Sequence, residues 1–391
     1  MDNPMSLNIL VVDDELDLEP LMRQKYRHQI RNNIYDFVFA HNGLEALTKL
    51  IEFPDICVIL SDINMPEMDG LTLLLKLKEL KNPSLKTVII SAYGDMENIR
   101  TAMNRGAFDF LTKPINFADL EITINKTLEE ISLQRMAMQE HDQLISIRHD
   151  LNVAREIQQG ILPKIFPPFP NRHDFEIFAS MTSAKEVGGD FYDFFMIDND
   201  RLGFVIGDVS GKGIPAAIFM AVSRTLIRAT GLKGMPAGEC LMYANNLLCN
   251  ESVSCMFVTV FYGIMNMKNG ELEYANAGHN PPYILKTDGS IMKLESVGDI
   301  ILGCFEDHMF TTKKINFTPG EAILLYTDGV TEAFNQQEQE YSEERLENLL
   351  RTIPNASTNT VVNAILDDVN LYSQGVPQSD DFTMLSLKYL G

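Results

Sequence analysis

Two sets of carboxylates in this chain stand where chemistry would need them. In the first, Asp13 and Asp14 close "LNILVVDDE" (7–15) and Asp62 closes the apolar part of "DICVILSDINMPEMDG" (55–70). Ser91 ends the apolar run of "KTVIISAYGD" (86–95), and Lys113 lies in "FDFLTKP" (108–114). Clustered carboxylates repel one another unless a hard cation neutralises them, and Mg²⁺ prefers such oxygen ligands. With the charge screened, one carboxylate can attack an incoming phosphoryl group. A lysine serves as a point charge for a phosphate oxygen, and a hydroxyl within reach can donate a hydrogen bond to the product.

The second set comprises Asp190 in "VGGDFYDFF" (187–195), Asp208 in "RLGFVIGD" (201–208), Asp328 in "AILLYTDGVTEAF" (322–334) and Asp380 with Asp381 in "QSDDFTMLSL" (378–387). Each acid sits at the edge of an apolar strand, beside glycine, a hydroxyl or another acid. To converge at one end of a β structure they need cations. Two hard metals sharing a carboxylate form an arrangement that attacks phosphate esters. The stretch "GDVSGKG" (207–213) invites a competing reading as a nucleotide loop. The pattern G-x-x-x-x-G-K-[ST] would need glycine where Ile206 stands and Ser or Thr where Gly213 stands, so it fails at both ends. The glycines instead let the backbone approach metals closely.

The elements that must position the first set are short β-branched runs, each read as a parallel strand buried on both faces. Helical patterns such as "GLTLLLKLKEL" (70–80) lie between them. Strand alternating with helix predicts right-handed βαβ units, an open parallel sheet, and a functional crevice at the strands' carboxyl ends. The order and spacing of "VVDDE", "SDINMPEMDG", "ISAYG" and "LTKP" resemble a response-regulator receiver domain over its whole length. The resemblance implies a flavodoxin-like doubly wound fold over residues 1–122, with Asp62 as phospho-acceptor. It implies Asp13 and Asp14 as the acid pocket, and the Asn64 carbonyl as a further ligand of a receiver Mg²⁺. Ser91 and Phe110 would be the switch residues, Lys113 the phosphate partner, and the Lys113–Pro114 bond cis. Asp95 and Asp109 read as solvated surface acids.

From Phe117 apolar residues recur at heptad spacing through Ile124, Ile131, Met138 and Ile145. The partner position holds Leu120 and Leu128 but then Gln134, Arg135 and His141, after which the stripe shifts to Leu144, Ile147, Leu151, Ala154 and Ile161. A heptad with a stutter predicts a long helix, coiled-coil-like and dimerising, that serves as a linker over 123–165. The alternative is an amphipathic helix packed on one of its own domains. The prolines of "ILPKIFPPFPN" (161–171) end it.

From Leu151 to Leu390 the motifs "AREIQQGILP", "GGDFYD", "GDVSGKGIPAA", "TVFYGIMN", "YANAGHNPPYIL", "YTDGVTEAFN" and "DDFTML" resemble the PPM (protein phosphatase 2C-like) serine/threonine phosphatases. The likeness is to their bacterial branch that controls stress and sporulation sigma factors. It implies an α-β-β-α sandwich over 166–391, making the whole chain an α/β multidomain protein. Two Mn²⁺ or Mg²⁺ would be held by Asp190, Asp208, Asp328, Asp380 and the Val209 carbonyl, with Asp381 an alternative to Asp380. Where eukaryotic members place a histidine two residues after the loop aspartate, this chain has Ser210. Lys212 either pairs with substrate phosphate or is solvated, His279 stabilises a turn, and Asp193 is structural or lies behind the ligands.

Composition narrows the rest. Residues 1–125 carry 12 Lys/Arg against 19 Asp/Glu, residues 171–391 carry 15 against 29, and the whole chain has a net charge of −22. No segment is basic, which argues against nucleic acid and anionic membranes as partners and against a DNA-binding output. Cys57, Cys240, Cys249, Cys255 and Cys304 contain no CxxC and read as free buried thiols in a reducing compartment. Neither a signal peptide nor a bilayer-length apolar run is apparent, so the expectation is a soluble cytoplasmic protein. The combined reading is a two-component regulator phosphorylated on Asp62 by a sensor histidine kinase or phosphotransfer protein. Its output removes phosphate from serine or threonine of a partner, by resemblance a STAS-domain anti-sigma-factor antagonist. The alternative is a non-catalytic adaptor whose PPM-like domain binds a sigma factor or its regulator.

Overall fold

The computed structural model describes residues 7–92, 94–251, 256–295 and 298–391. Cys255 and the first six residues lie outside that description. Two compact units meet in sequence at Ile147 and Arg148. Among the described residues no helix is long and apolar enough to cross a membrane.

The first unit is a parallel sheet of β1 (Leu7–Val12), β2 (Tyr35–Ala40), β3 (Ile56–Asp62), β4 (Lys86–Ala92) and β5 (Asp109–Lys113), in the order β2-β1-β3-β4-β5. The helices are α1 (Leu18–Lys25), α2 (Arg27–Arg31), α3 (Gly43–Glu52), α4 (Gly70–Glu79) and α5 (Met96–Arg105). Successive residues of a strand face opposite sides. Accordingly Ile9, Val11, Val58 and Leu60 join one apolar cluster, while Leu10, Val12 and Ile59 join another with Leu73 and Leu77 of α4. The strand β2 carries no run of the kind that marks the others. It is an edge strand whose Tyr35 and Phe37 pack with Tyr26, while Asp36 and Val38 are only half-buried.

The helix α6 (Phe117–Ile161) begins and ends where the apolar stripe and the prolines predict. Its heptad, however, serves two purposes. Leu120, Ile124 and Ile131 are buried in the core of the first unit, the packing of an ordinary amphipathic helix. Beyond that point Met138, Leu144, Ile145, Ile147 and Ile157 are exposed.

The second unit is a sandwich of two antiparallel sheets. One runs β13 (Lys313–Asn316), β10 (Glu271–Ala277), β9 (Val258–Asn266), β8 (Arg201–Val209), β7 (Phe191–Met196). The other runs β12 (Ile291–Lys293), β11 (Tyr283–Leu285), β14 (Ala322–Tyr326), β15 (Phe382–Tyr389), β6 (Phe175–Thr182). Helices α7 (Ile214–Gly231) and α8 (Ala237–Glu251) pack on the first sheet. On the second, α11 (Thr358–Tyr372) packs against β6 and β15, beside α10 (Glu343–Thr352), while α9 (Asp328–Thr331) is one turn after β14. In β14, Ile323 and Leu325 join the core shared by the two sheets, whereas Leu324 and Tyr326 join the cluster under α10 and α11. The result is the α-β-β-α order expected.

Asp193 of β7 is fully buried, 2.9 Å from Arg224 Nε and 2.7 Å from Arg228 Nη1 of α7, so it ties helix to sheet. Removing one partner of a buried ion pair strands the other charge. Asp193→Ala is expected to cost about 3 kcal/mol, read as a lower urea midpoint; a change within about 0.5 kcal/mol would show that the arginines are solvated without it.

Candidate functional site

In the first unit the carboxyl ends of β1 and β3 bring Asp13, Asp14 and Asp62 together, with one ligand oxygen from each lying within 4.8 Å of the others. The sharp turn after β3 makes this possible. Asp69 caps α4 by accepting from Thr72 N at 2.6 Å, and a Cβ on Gly70 would lie 2.1 Å from the carbonyl oxygen of Asp62. The "DG" of the motif is therefore the support directly beneath Asp62. Asp62 Oδ1 accepts from Ile63 N at 2.6 Å and faces Asn64 N at 3.4 Å.

Lys113, at the end of β5 and followed by a cis peptide bond, draws the acids in. Its Nζ lies 2.7 Å from Asp62 Oδ2, 3.0 Å from Asp13 Oδ2 and 2.9 Å from Glu15 Oε1. Burial works against the lysine's charge, yet hydrogen bonds to Asp62, Glu15 and Asp13 hold its pKa above the ordinary value. Burial also pushes the Asp13 carboxyl up, against a hydrogen bond from the Glu15 amide and the charge of Lys113. Glu15 was not singled out in the sequence, although it is the third acid of "VVDDE". Ser91 is buried with its Oγ turned to Asp95 Oδ2 at 3.3 Å, and Phe110 is exposed. Neither Asp95 nor Asp109 is the solvated acid expected: Asp95 is half-buried and takes hydrogen bonds from Ser91 and Asn98, and Asp109 pairs with Lys126 at 2.9 Å.

In the second unit the acids come from both sheets. Asp190 precedes β7, Asp208 lies near the end of β8, Asp328 follows β14, and Asp380 and Asp381 precede β15. Asp381 is buried with both oxygens committed: Oδ1 accepts from Ala184 N at 2.8 Å and Oδ2 from Gly189 N at 2.7 Å. Asp380 is half-exposed; its Oδ1 accepts from Asp381 N at 2.9 Å and its Oδ2 faces Lys212 Nζ at 2.7 Å. Thr327, unmarked in the sequence reading, donates to Asp190 Oδ2 at 2.7 Å. Close backbone approach is built in. A Cβ on Gly188 would lie 2.3 Å from Asp381 Oδ2, one on Gly329 2.1 Å from the Asp381 carbonyl oxygen, and one on Gly189 3.0 Å from the Val209 carbonyl oxygen.

The end of α6 also reaches this loop. Gln158 is buried; its Nε2 donates to the Gly188 carbonyl at 2.6 Å and its Oε1 accepts from Gly188 N at 3.0 Å. Arg155 Nε donates to the Glu186 carbonyl at 2.7 Å. Both residues stand in "AREIQQG", whose likeness to the phosphatases assigns neither of them a role. His279 is buried and bonded through Nδ1 to Thr259 Oγ1 at 2.9 Å, with Asn276 closing its turn. Burial lowers its pKa to about 4, so it is neutral at physiological pH. The cysteines differ from expectation: Cys57 and Cys240 are buried, but Cys249 is only partly so and Cys304 is exposed.

The electrostatics of the second cluster are those of a site short of positive charge. Burial, then the charges of Asp208 and Asp381, raise the Asp190 carboxyl well above its ordinary value. Burial, then Asp328, then Asp380 and Asp381 raise Asp208 to about 7 against a hydrogen bond with Asp190. Asp328 is raised by burial and by Asp380, and exposed Glu332 by burial and by Asp328. These acids influence one another but are spread wider than the first set. Among the described residues only Asp13, Asp14 and Asp62 bring three ligand atoms within 4.8 Å of one another. The donors are all hard oxygens on glycine-lined backbone, a set that fits hard divalent cations such as Mg²⁺ or Mn²⁺.

The sheet order, the acid pocket and the second cluster define a receiver joined to a metal-type phosphatase sandwich. Residues 9–125 match the family described as response regulator receiver domain, and residues 198–390 match that described as Stage II sporulation protein E (SpoIIE). The chain is 30% identical over 259 residues to the phosphoserine phosphatase RsbU of Bacillus subtilis (strain 168), covering 65% of this chain and 75% of RsbU. It is 32% identical over 267 residues to protein IcfG of Synechocystis sp. (strain ATCC 27184 / PCC 6803 / Kazusa), covering 61% of this chain and spanning 41% of that relative. The SiaA-PP2C domain of Pseudomonas aeruginosa shares the fold, with a TM-score of 0.56 at 20% identity over 63% of this chain and 98% of that domain. The chain thus belongs to the response regulators that carry a SpoIIE-type, PPM-class phosphatase domain behind an N-terminal receiver.

The raised acids make the metal-free protein pH-sensitive. An unfolded Asp208 loses its proton near 3.8, the folded one near 7, so between these values the folded state holds a proton that the unfolded state does not. Stability is therefore fully present below the lower value and is lost as pH rises through the upper one. In EDTA the second unit should melt roughly 3–5 °C lower at about pH 8 than at about pH 6. Asp208→Asn should narrow that gap; an undiminished gap in the variant would assign the effect to other groups.

Proposed function

We propose that the protein is a metal-dependent phosphatase that removes phosphate from serine or threonine of a partner protein under the control of Asp62 phosphorylation. The observation that supports this most is the convergence of aspartates from both sheets of the sandwich onto one under-compensated cluster. Asp190, Asp208, Asp328, Asp380 and the Val209 carbonyl would hold two Mn²⁺ or Mg²⁺. Once bound, such ions supply the charge that a phosphate ester's displacement requires and a nucleophile at neutral pH. Asp381, with both oxygens on backbone amides, positions the Gly188–Asp190 turn. Thr327 orients Asp190. His279, neutral and buried, serves the fold rather than proton transfer.

The receiver's part is to present Asp62 to a phosphodonor, a sensor histidine kinase or phosphotransfer protein. Asp13, Asp14, Asp62 and the Asn64 carbonyl would hold Mg²⁺, and Lys113 would move from the carboxylates to the phosphoryl oxygens. Ser91, now on Asp95, would turn to the phosphoryl group, with Phe110 following. The helix α6 would carry the change, as part of a homodimer in the cytoplasm, and its means of reaching the second site is the Gln158 pair on Gly188. The phosphoserine phosphatase named among the relatives supports a phosphoserine substrate. We take that substrate to be a STAS-domain anti-sigma-factor antagonist. The domain boundaries that suit this reading are residues 1–122, 123–165 and 166–391.

The deciding experiment is Mn²⁺-dependent phosphate release from a phosphoserine STAS protein, with and without beryllofluoride. Release is expected to require metal, to vanish in Asp208→Ala and Asp328→Ala, and to shift with beryllofluoride in wild type but not in Asp62→Asn. No release from this or a second phosphoserine protein, with metal bound, would replace the enzyme by an adaptor that only binds its partner. Gln158→Ala removes both hydrogen bonds to Gly188 and leaves buried backbone groups unpaired. It should lower release by roughly tenfold at saturating Mn²⁺; unchanged release with an unchanged beryllofluoride response would remove Gln158 from the path.

A further inference from the structure

The lysine of "GDVSGKG" is exposed but engaged within the chain. Lys212 Nζ lies 2.7 Å from Asp380 Oδ2 and donates to the Ser379 carbonyl at 2.7 Å. Among the described residues no other cation pairs with Asp190, Asp208, Asp328, Asp380 or Asp381. Asp380 Oδ1 accepts from the Asp381 amide and the lysine covers Oδ2, so both oxygens of this acid have a partner. The pair stands at the edge of the acid cluster, with Lys212 near enough to Asp328 for its charge to act there as well.

The loop is built so that this contact can be released. Ser210 is pinned at both ends, its N donating to the Phe257 carbonyl at 2.9 Å and its Oγ accepting from Phe257 N at 3.0 Å. Helix α7 begins at Ile214. Only three residues lie between, and Gly211 and Gly213 on either side of Lys212 have φ of +87° and +83°. A Cβ at either position would meet nothing within 4 Å, so what requires glycine there is the backbone conformation, not space. A lysine between two such glycines can change its aim without moving the elements that carry Asp208 and α7.

We infer that Lys212 is a tethered cation that occupies Asp380 in the metal-free site and is displaced from it when a divalent cation binds. Metal binding is then an exchange of cations, which raises the metal concentration the site needs. The exchange also frees the lysine amine at the mouth of the site only when the metal is present. The inference rests on the proposed function insofar as Asp380 is taken as a metal ligand.

Two measurements on the full chain test it. Calorimetric titration of EDTA-stripped protein with Mn²⁺ should show tighter binding to Lys212→Met than to wild type, by roughly twofold to fivefold, the range of a half-exposed ion pair. Acylation of lysines by acetic anhydride, read residue by residue by mass spectrometry, should find Lys212 more reactive in Mg²⁺ than in EDTA. Equal or weaker Mn²⁺ binding by Lys212→Met overturns the exchange, as does Lys212 reactivity that fails to rise with metal. In either case Mn²⁺ binding by wild type that is lost in Asp208→Ala keeps the metal site itself. A wild type that binds no Mn²⁺ overturns both readings together.

Discussion

Like charges held close together are the constraint on which the rest of this molecule depends. Each unit gathers carboxylates at the ends of buried strands, where water is scarce and repulsion is strong. In the receiver the offset is a single lysine, Lys113, bridging Asp62, Asp13 and Glu15. In the sandwich it is divided. Asp381 is satisfied by backbone amides, Asp380 by Lys212 and an amide, and Asp190 by a hydroxyl. What remains uncompensated is expressed as raised pKa values at Asp190, Asp208 and Asp328. The two sites thus solve one problem with differently placed positive charge, one lysine bridging three acids in the receiver and one lysine at a single acid in the sandwich.

Holding such groups also dictates where side chains are forbidden. Gly70 under Asp62, Gly188 against the Asp381 carboxylate and Gly329 against the Asp381 carbonyl all leave no room for a Cβ. In each case glycine neighbours an acid in sequence or in space, so the recurring acid-glycine pairs of the chain are packing requirements of the sites. The backbone can then deliver amides to the carboxylates, which is how Asp381 draws Ala184, Gly189 and Asp190 into one turn. The fold around this turn is an ordinary apolar sandwich, and its buried Asp193 is neutralised by two arginines of α7.

What was legible in the sequence follows from the same physics. Strands buried on both faces announce themselves as continuous apolar runs, so β1, β3, β4 and β8 were visible, with acids ending β1, β3 and β8 and Ser91 near the end of β4. The edge strand β2 alternates half-buried residues with aromatic ones and gave no comparable signal. The heptad along α6 was real, but periodicity does not say what covers a stripe. Leu120, Ile124 and Ile131 are covered by the receiver's own core, whereas Met138 and Ile145 are exposed. Supporting residues were harder still. Thr327, Gln158 and Glu15 act through hydrogen bonds or ion pairs to groups distant in sequence, and no local pattern reports such a partner. The choice between Asp380 and Asp381 was open for the same reason, because it turns on which carboxylate the backbone amides claim.

The arrangement of α6 places a mechanical demand on any control of the second site. Gln158 holds Gly188 through two hydrogen bonds, and Gly188 in turn leaves no clearance from Asp381. A turn so tightly fitted has few ways to relax gradually, because packed interiors shift between discrete arrangements rather than deform smoothly. A helix has a matching property: its side chains move together when it rotates or slides. A displacement at the Gln158 end would therefore act on the Gly188–Asp190 turn as a unit, making or breaking the position of Asp190 rather than adjusting it. The exposed apolar residues midway along α6 are the part of the helix whose cover can change without unfolding either core.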